Sequence, residues 1–399
     1  MARILLAWEL GANLGHLGPL VMLARALRSH GHEVTFVLRD LSGAERALAG
    51  FAYAQAPVSR PRARSAVPMP CSYAEIMERS GFANRESLLA MVRAWRQIFK
   101  WTAPDVMVFD HAPTALLAAR GLPMSRVLYG VGFSSPPRVS PLPSFRTWQH
   151  VSIERLQASE STVLGTINWV LAQLGVEGLA ALHELFAADE ELFCTFAELD
   201  HYSARATGRY CGPIFYSGGG GPALWHESDR KKLFVYMRPE MPGFRPLAHA
   251  LADLPYRVLW VAPGAEPEVL RRYQTPTIRF VSQPVDLAAA AAQADGAVLY
   301  GGHGTAAGML LAGVPLTLCP NHVEQMLVAR NVARLGAGTI VMPGTGVDDV
   351  RASIEAMVEG TAFRQGARAF ASKYDGFTPQ DAIGSALTRI HACSERAHA

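Results

Sequence analysis

Short apolar runs alternate with stretches of helical period along most of the chain. Residues 4–8 form the first run; 11–18 read as a glycine loop, 20–28 as a helix stopped at Gly31, and 34–38 as a second strand. The pattern returns at 104–110, where PDVMVFD reads as a buried strand, followed by a helix over 114–120 and a strand near 127–129. Farther along, 233–237, 257–261, 278–281 and 297–300 are strand segments, and the helix-like 246–254 and 287–294 alternate with them. Strands that are apolar on both faces, each followed by a helix, predict an α/β protein with parallel, doubly wound sheets.

At 399 residues the chain is long enough for two such domains, each with its own core. The run Ser217-Gly218-Gly219-Gly220-Gly221-Pro222 is the clearest linker signal. The expected organisation is therefore one domain over 1–215, a linker over 216–228 and a second domain over 229–378, with a closing segment over 379–399. Residues 57–103 and 138–190 break the alternation with prolines (Pro57, Pro61, Pro68, Pro70; Pro136, Pro137, Pro141, Pro143) and read as insertions that shape a pocket. They offer Trp95, Phe99, Trp101, Phe145 and Trp148, with Phe133 nearby, as pocket or core aromatics.

Composition narrows the classes. Half the residues are hydrophobic, 18% are charged, and the net charge is +3, with no basic stripe for nucleic acid. The five cysteines are scattered without C-x-x-C spacing, as in a reduced compartment. The apolar run at the start ends at Glu9, too early for an export signal, and 296–320 is broken by glycines, His303 and Pro315, so neither reads as a membrane segment. A cytoplasmic location is expected. Arg93, Arg96 and Lys100, near Trp95, Phe99 and Trp101, would share a helix face, read as a solvated face in preference to a membrane contact.

The most specific stretch is 300–325, YGGHGTAAGMLLAGVPLTLCPNHVEQ. Gly301, Gly302 and Gly304 remove Cβ atoms at a turn between strand and helix, and Thr305 and Ala306 are expected to present amides at a positive helix terminus, suited to phosphate. Together with Gly313-Val314-Pro315, Pro320 and the pair Glu324-Gln325, the block resembles the donor signature of GT-B fold glycosyltransferases in the UDP-glycosyltransferase and macrolide glycosyltransferase family (family 1). The resemblance implies two Rossmann-like domains facing a central cleft, with the last helix packing back on the first domain. It also implies an inverting transfer, without a metal, from a UDP- or dTDP-sugar to a hydroxyl of a small apolar acceptor or lipid. No D-x-D pair or His/Cys cluster suggests a metal ligand set. The donor contacts so implied are Tyr300, Gly301, Gly302, His303, Gly304 and Thr305 around the diphosphate and Glu324 and Gln325 on the sugar. Gln283 joins them, and Arg238 either reaches a phosphate or is a surface charge beside Glu240.

His16, in Gly15-His16-Leu17-Gly18-Pro19, matches the family's His-x-x-Pro, and imidazole is the side chain best suited to deprotonate a hydroxyl near neutral pH. Its other reading is a loop or capping histidine. Asp110 ends the second buried strand, where it would either orient His16 or cap the next helix. His111 should point to the opposite side by strand alternation. The chain departs from the family at Tyr300, where many relatives carry histidine, and at Gly308, where plant-type relatives carry a ribose-binding glutamate. A nucleotide-sugar epimerase of the same fold and a non-catalytic nucleotide-binding relative are the alternatives. A dinucleotide oxidoreductase is disfavoured: Asp40 fits, but the first loop lacks G-x-G-x-x-G.

Overall fold

The computed structural model describes residues 1–11, 14–57, 69–205, 208–215, 220–225 and 229–398. Pro61 and Pro68 of the first insertion, and residues 216–219 and 226–228 of the glycine-rich segment, lie outside them. The chain divides into two compact units, Met1–Gly212 with Gln380–Ala399, and Pro213–Pro379.

The first unit is built on a seven-stranded sheet. Its strands are β1 (Arg3–Trp8), β2 (Glu33–Leu38), β3 (Ala52–Gln55), β4 (Val106–Asp110), β5 (Ser125–Gly130), β6 (Glu190–Phe193) and β7 (Arg209–Tyr210). The order is β3-β2-β1-β4-β5-β6-β7, and every pairing is parallel. The run Ile4–Trp8 is buried throughout, as are all five residues of β4. This is what helices on both faces of a parallel sheet require. One face is covered by Arg85–Thr102 and Ile153–Ala172, whose Trp95, Phe99, Val163 and Ile167 join Leu5, Met107 and Phe109 in one core. The last helix, Pro379–His398, belongs to this unit: Ser125 donates to the Cys393 carbonyl (3.1 Å), and His391 meets His32 (3.3 Å).

The second unit carries a six-stranded parallel sheet, β8 (Lys232–Tyr236), β9 (Arg257–Val261), β10 (Ile278–Val281), β11 (Gly296–Leu299), β12 (Leu316–Leu318) and β13 (Gly338–Ile340). Its order is β10-β9-β8-β11-β12-β13. Gly220 and Gly221 lie against its edge: Gly221 donates to the Pro284 carbonyl (2.9 Å), and a Cβ on Gly220 would stand 2.1 Å from the Val285 carbonyl carbon.

In each sheet the chain direction of winding reverses once, between β1 and β4 and between β8 and β11. Ligands of open α/β sheets bind beyond the carboxyl ends of such strand pairs. His16 and Asp110 follow or end the first pair; Arg238 and the glycine turn follow the second.

Several elements differ in extent from the sequence reading. The first helix spans Leu14–Ser29, so 14–18 are helical although read as a loop, and Pro19 lies inside the helix. A proline there removes one amide, the partner of the Gly15 carbonyl, and the helix continues through it. All five cysteines are buried and unpaired. Among the described residues no helix is long and apolar enough to cross a membrane. Of the expected basic face, Arg93 and Lys100 are exposed, whereas Arg96 turns inward to the carbonyls of Ala118 (3.1 Å) and Arg120 (2.9 Å).

Candidate active site

β1 and β4 run side by side with Trp8 in register with Asp110. The first turn of the following helix then brings His16 back over the end of β4. His16 Nδ1 lies 3.1 Å from Oδ1 and 3.0 Å from Oδ2 of Asp110. Both side chains are largely withdrawn from water, at 15% and 7% exposure, which shields their interaction from solvent. A carboxylate at Nδ1 fixes that nitrogen as the donor and leaves Nε2 as the basic one. Trp8 stacks on the imidazole, ring centroids 5.4 Å apart and planes 21° from parallel. Gly11, at φ +87°, closes the Nε2 side; a Cβ there would stand 2.4 Å from Nε2.

His111 is where the sequence reading fails. Its φ of 48° takes it out of the strand pattern, so its ring turns back toward His16, 5.9 Å between centroids, and packs on Tyr73 and Phe133. Burial, followed by the charge of His16, lowers its pKa, so it stays neutral beside His16. Alternation holds only while the chain stays extended, and this residue is the first that does not. Of the aromatics offered for a pocket, Trp95, Phe99, Phe133 and Phe145 are buried core, Trp148 is half-buried, and Trp101 is 79% exposed.

In the second unit, β11 leads through Tyr300 into Gly301 at φ +93°, with Gly302 at the N-cap of the helix His303–Leu311. The first intrahelical bond is made by Ala306, which donates to the Gly302 carbonyl (3.0 Å). Ala306 is therefore not an anion donor as expected; the amides of Gly304 and Thr305 precede that bond and point out of the helix end, toward which a phosphate is drawn. Gly301 packs against the next helix, Val323–Arg334: a Cβ would meet the Gln325 carbonyl at 3.0 Å. Gln325 is buried and its Oε1 accepts the Asn321 amide (2.8 Å), so this side chain caps its own helix. Glu324, half-buried in the first turn, is its neighbour.

Tyr300 lies over the turn, within 3.2 Å of where a Gly302 Cβ would stand, and against Tyr236 (5.4 Å between ring centroids). Burial raises its pKa first; Tyr236, by charge and by a hydrogen bond, adds to this, and the charge of Arg238 opposes it. The hydroxyl expected to face a phosphate is thus engaged with Tyr236, and Arg238 stands near it, half-buried. Gln283 is exposed just past β10, three strands from β11, roughly 14 Å across the sheet. The structure does not bring it to the turn's strand.

Phe215 escaped the sequence reading. It packs on the glycine face of the turn helix, 3.1 Å from a Gly304 Cβ and 3.2 Å from one on Gly308, where Leu287 would stand at 2.8 Å. Gly308 therefore has no room for a carboxylate-bearing side chain. The only signal for this in the sequence is the i, i+4 spacing of the two glycines.

The two parallel sheets are those of the GT-B fold of glycosyltransferases. Residues 265–383 match the family model described as the C-terminal domain of erythromycin biosynthesis protein CIII-like proteins. Over this stretch the chain is similar to that macrolide glycosyltransferase family. A PGL/p-HBAD biosynthesis glycosyltransferase of Mycobacterium tuberculosis (strain ATCC 25177 / H37Ra) is 29% identical over 411 residues, covering 97% of this chain and 92% of the relative. A PGL/p-HBAD biosynthesis rhamnosyltransferase of Mycobacterium bovis (strain BCG / Pasteur 1173P2) is 28% identical over 279 residues, 65% of this chain and 61% of its own. Among solved structures, the calicheamicin glycosyltransferase CalG4 superposes with a TM-score of 0.73 at 21% identity, covering 99% of both chains. The spinosyn rhamnosyltransferase SpnG complexed with thymidine diphosphate gives 0.68 at 19% identity, over 97% of this chain and all of that one.

Proposed function

We propose that this glycosyltransferase moves a sugar from a dTDP-sugar, or a UDP-sugar, to a hydroxyl of a natural product or phenolic glycolipid, inverting the anomeric centre. The observation that carries the reading is the His16–Asp110 pair at the winding reversal of the first sheet, with Nδ1 held by the carboxylate at 3.0 Å. Nε2 takes the acceptor's proton as its oxygen attacks the anomeric carbon; the bond from that carbon to the diphosphate breaks, and the nucleoside diphosphate leaves. Asp110 stabilises the imidazolium so formed. In the second unit the amides of Gly304 and Thr305 and the helix end meet the leaving diphosphate, with Arg238 as the nearby cation and Glu324 on the sugar. The thymidine diphosphate held by SpnG favours a dTDP-sugar over a UDP-sugar. The PGL/p-HBAD relatives favour a phenolic acceptor.

The test is turnover. Purified protein is incubated with dTDP-glucose, dTDP-rhamnose or UDP-glucose and a panel of simple phenols including methyl 4-hydroxybenzoate, with EDTA present. Mass spectrometry reads the glycoside and proton NMR its anomeric configuration. An inverted glycoside supports the proposal. A retained configuration, or conversion of the donor into its epimer alone, refutes it.

A further inference from the structure

Glu9 stands directly after β1 and is 2% exposed. Its carboxylate accepts from Thr114 N (2.7 Å), Ala115 N (3.1 Å) and Trp95 Nε1. Those two amides open the helix Pro113–Ala118, whose N-cap residue is Ala112 and has no capping side chain. Glu9 therefore supplies, from a neighbouring strand, the acceptor that a serine or aspartate would supply at the cap. Burial raises the Glu9 carboxyl to about 8, even against the downward pull of its hydrogen bonds. The three N–H groups point at the carboxyl oxygens, and the Thr114 side chain adds a further hydrogen bond.

The surrounding contacts are directed at the same turn. Leu10 N donates to the His111 carbonyl (2.9 Å), and Trp8 Nε1 donates to the Leu10 carbonyl (2.6 Å). Trp8 stacks on His16, and Gly11 faces its Nε2. Between these ties stands His111, at φ 48° with a buried Nε2 that has no hydrogen-bond partner among the described residues, a residue the surroundings must hold in place. Residues 8–11 thus grip the turn that carries Asp110 from one side and touch the imidazole from the other.

We infer that Glu9 is a positioning residue for the His16–Asp110 pair, its buried carboxylate fixing the turn after β4 so that Asp110 stays bonded to His16 Nδ1. This rests on the reading of His16 as the base. A buried carboxylate is costly to desolvate even when hydrogen-bonded, and an apolar side chain would fill the same volume without that cost. What an apolar side chain cannot do is hold two amides of one element and an indole of another.

The experiment is Glu9→Gln, isosteric but with an amide that must turn its N–H toward one of three donors. Three quantities are read: kcat with dTDP-sugar and methyl 4-hydroxybenzoate, the Kd for TDP, and the low-field Nδ1–H resonance of His16 in histidine-labelled protein. The expected result is a roughly ten- to hundredfold fall in kcat with TDP affinity unchanged, and loss or displacement of the resonance. Trp95→Phe, which keeps the carboxylate and removes one donor, is expected to move kcat and the resonance less and in the same direction, and serves if Glu9→Gln does not fold. Unchanged kcat and resonance in the variants, whatever happens to Tm, overturn the inference. Full activity of His16→Ala would instead sink the base assignment itself, so the two failures are distinguishable.

Discussion

Gly11→Ala places the smallest possible side chain against the nitrogen that matters. The new Cβ would lie 2.4 Å from His16 Nε2, 3.0 Å from Cδ2 and 3.3 Å from Cε1, hence off the nitrogen itself, on the side from which a hydroxyl bonds to it. Ordinary contact needs about 3.5 Å, so the ring must retreat by roughly 1 Å. It is not free to do so: Nδ1 is held 3.0 Å from Asp110, and one face is stacked on Trp8. Either the ring leaves Asp110 or the methyl blocks Nε2, and both remove the base. General-base catalysis contributes about 10²- to 10⁴-fold, and we predict a kcat loss in that range. Stability should fall much less, because an L-residue at φ +87° costs roughly 1–2 kcal/mol, about 2–8 °C in a unit of this size. The assay is initial rate at saturating dTDP-sugar and phenol, with TDP titrated by calorimetry in parallel. A Gly11→Ala enzyme that keeps more than about a third of wild-type kcat would refute the reasoning, since general-base loss is far larger.

Three further predictions follow from other parts of the molecule. Arg205→Met removes the cation that holds the buried Asp200 at 2.9 Å and 3.0 Å, leaving Tyr202 N and the Tyr210 hydroxyl as donors, and should cost about 3–5 kcal/mol in denaturant unfolding. Arg351→Met, at the exposed pair with Asp253, should cost under about 1 kcal/mol; equal losses would contradict this contrast. Gly308→Glu should destabilise by about 1–3 kcal/mol without tightening TDP, because its Cβ would stand 2.8 Å from Leu287 and 3.2 Å from Phe215; a gain in affinity would disprove the packing argument. His32 is held below its ordinary 6.5 first by burial, then by His391, the N-terminus and His30, with Glu395 on the far side of His391. A lowered folded pKa makes its neutral form the stabilising one, so this contribution is present above 6.5 and lost as pH falls below it. The Tm decline from about pH 7 to about pH 5 should flatten in His32→Gln, and an unchanged slope would exclude His32 as its source.

The strands were legible because buried parallel strands leave uninterrupted apolar runs: 257–261 and 278–281 coincide with β9 and β10. Helix starts were harder. Gly15 and Gly18 read as loop residues, yet the helix begins at Leu14, where the ties of His16 to Asp110 and Trp8 outweigh local propensity. His16 and Asp110 were visible as residue types at strand ends, and their meeting follows from β1 and β4 being neighbours, which chain order alone does not state. His111 was misplaced because its φ of 48° breaks the period used to place it. Gln325 was read as a sugar contact, and its Oε1 also accepts the Asn321 amide, a local tie the sequence pattern does not announce. Phe215 and Glu9 act on residues 89 or more positions away, such as Gly304 and Thr114, and no local pattern encodes such pairs.

The central claim is that His16 supplies the base, and the most direct measurement is kcat of His16→Ala against wild type at saturating dTDP-sugar and phenol, with the Kd for TDP measured on both. The account predicts a kcat loss of at least about a hundredfold with the TDP affinity unchanged, because it assigns the diphosphate to the second unit. A variant within about tenfold of wild-type kcat would contradict it.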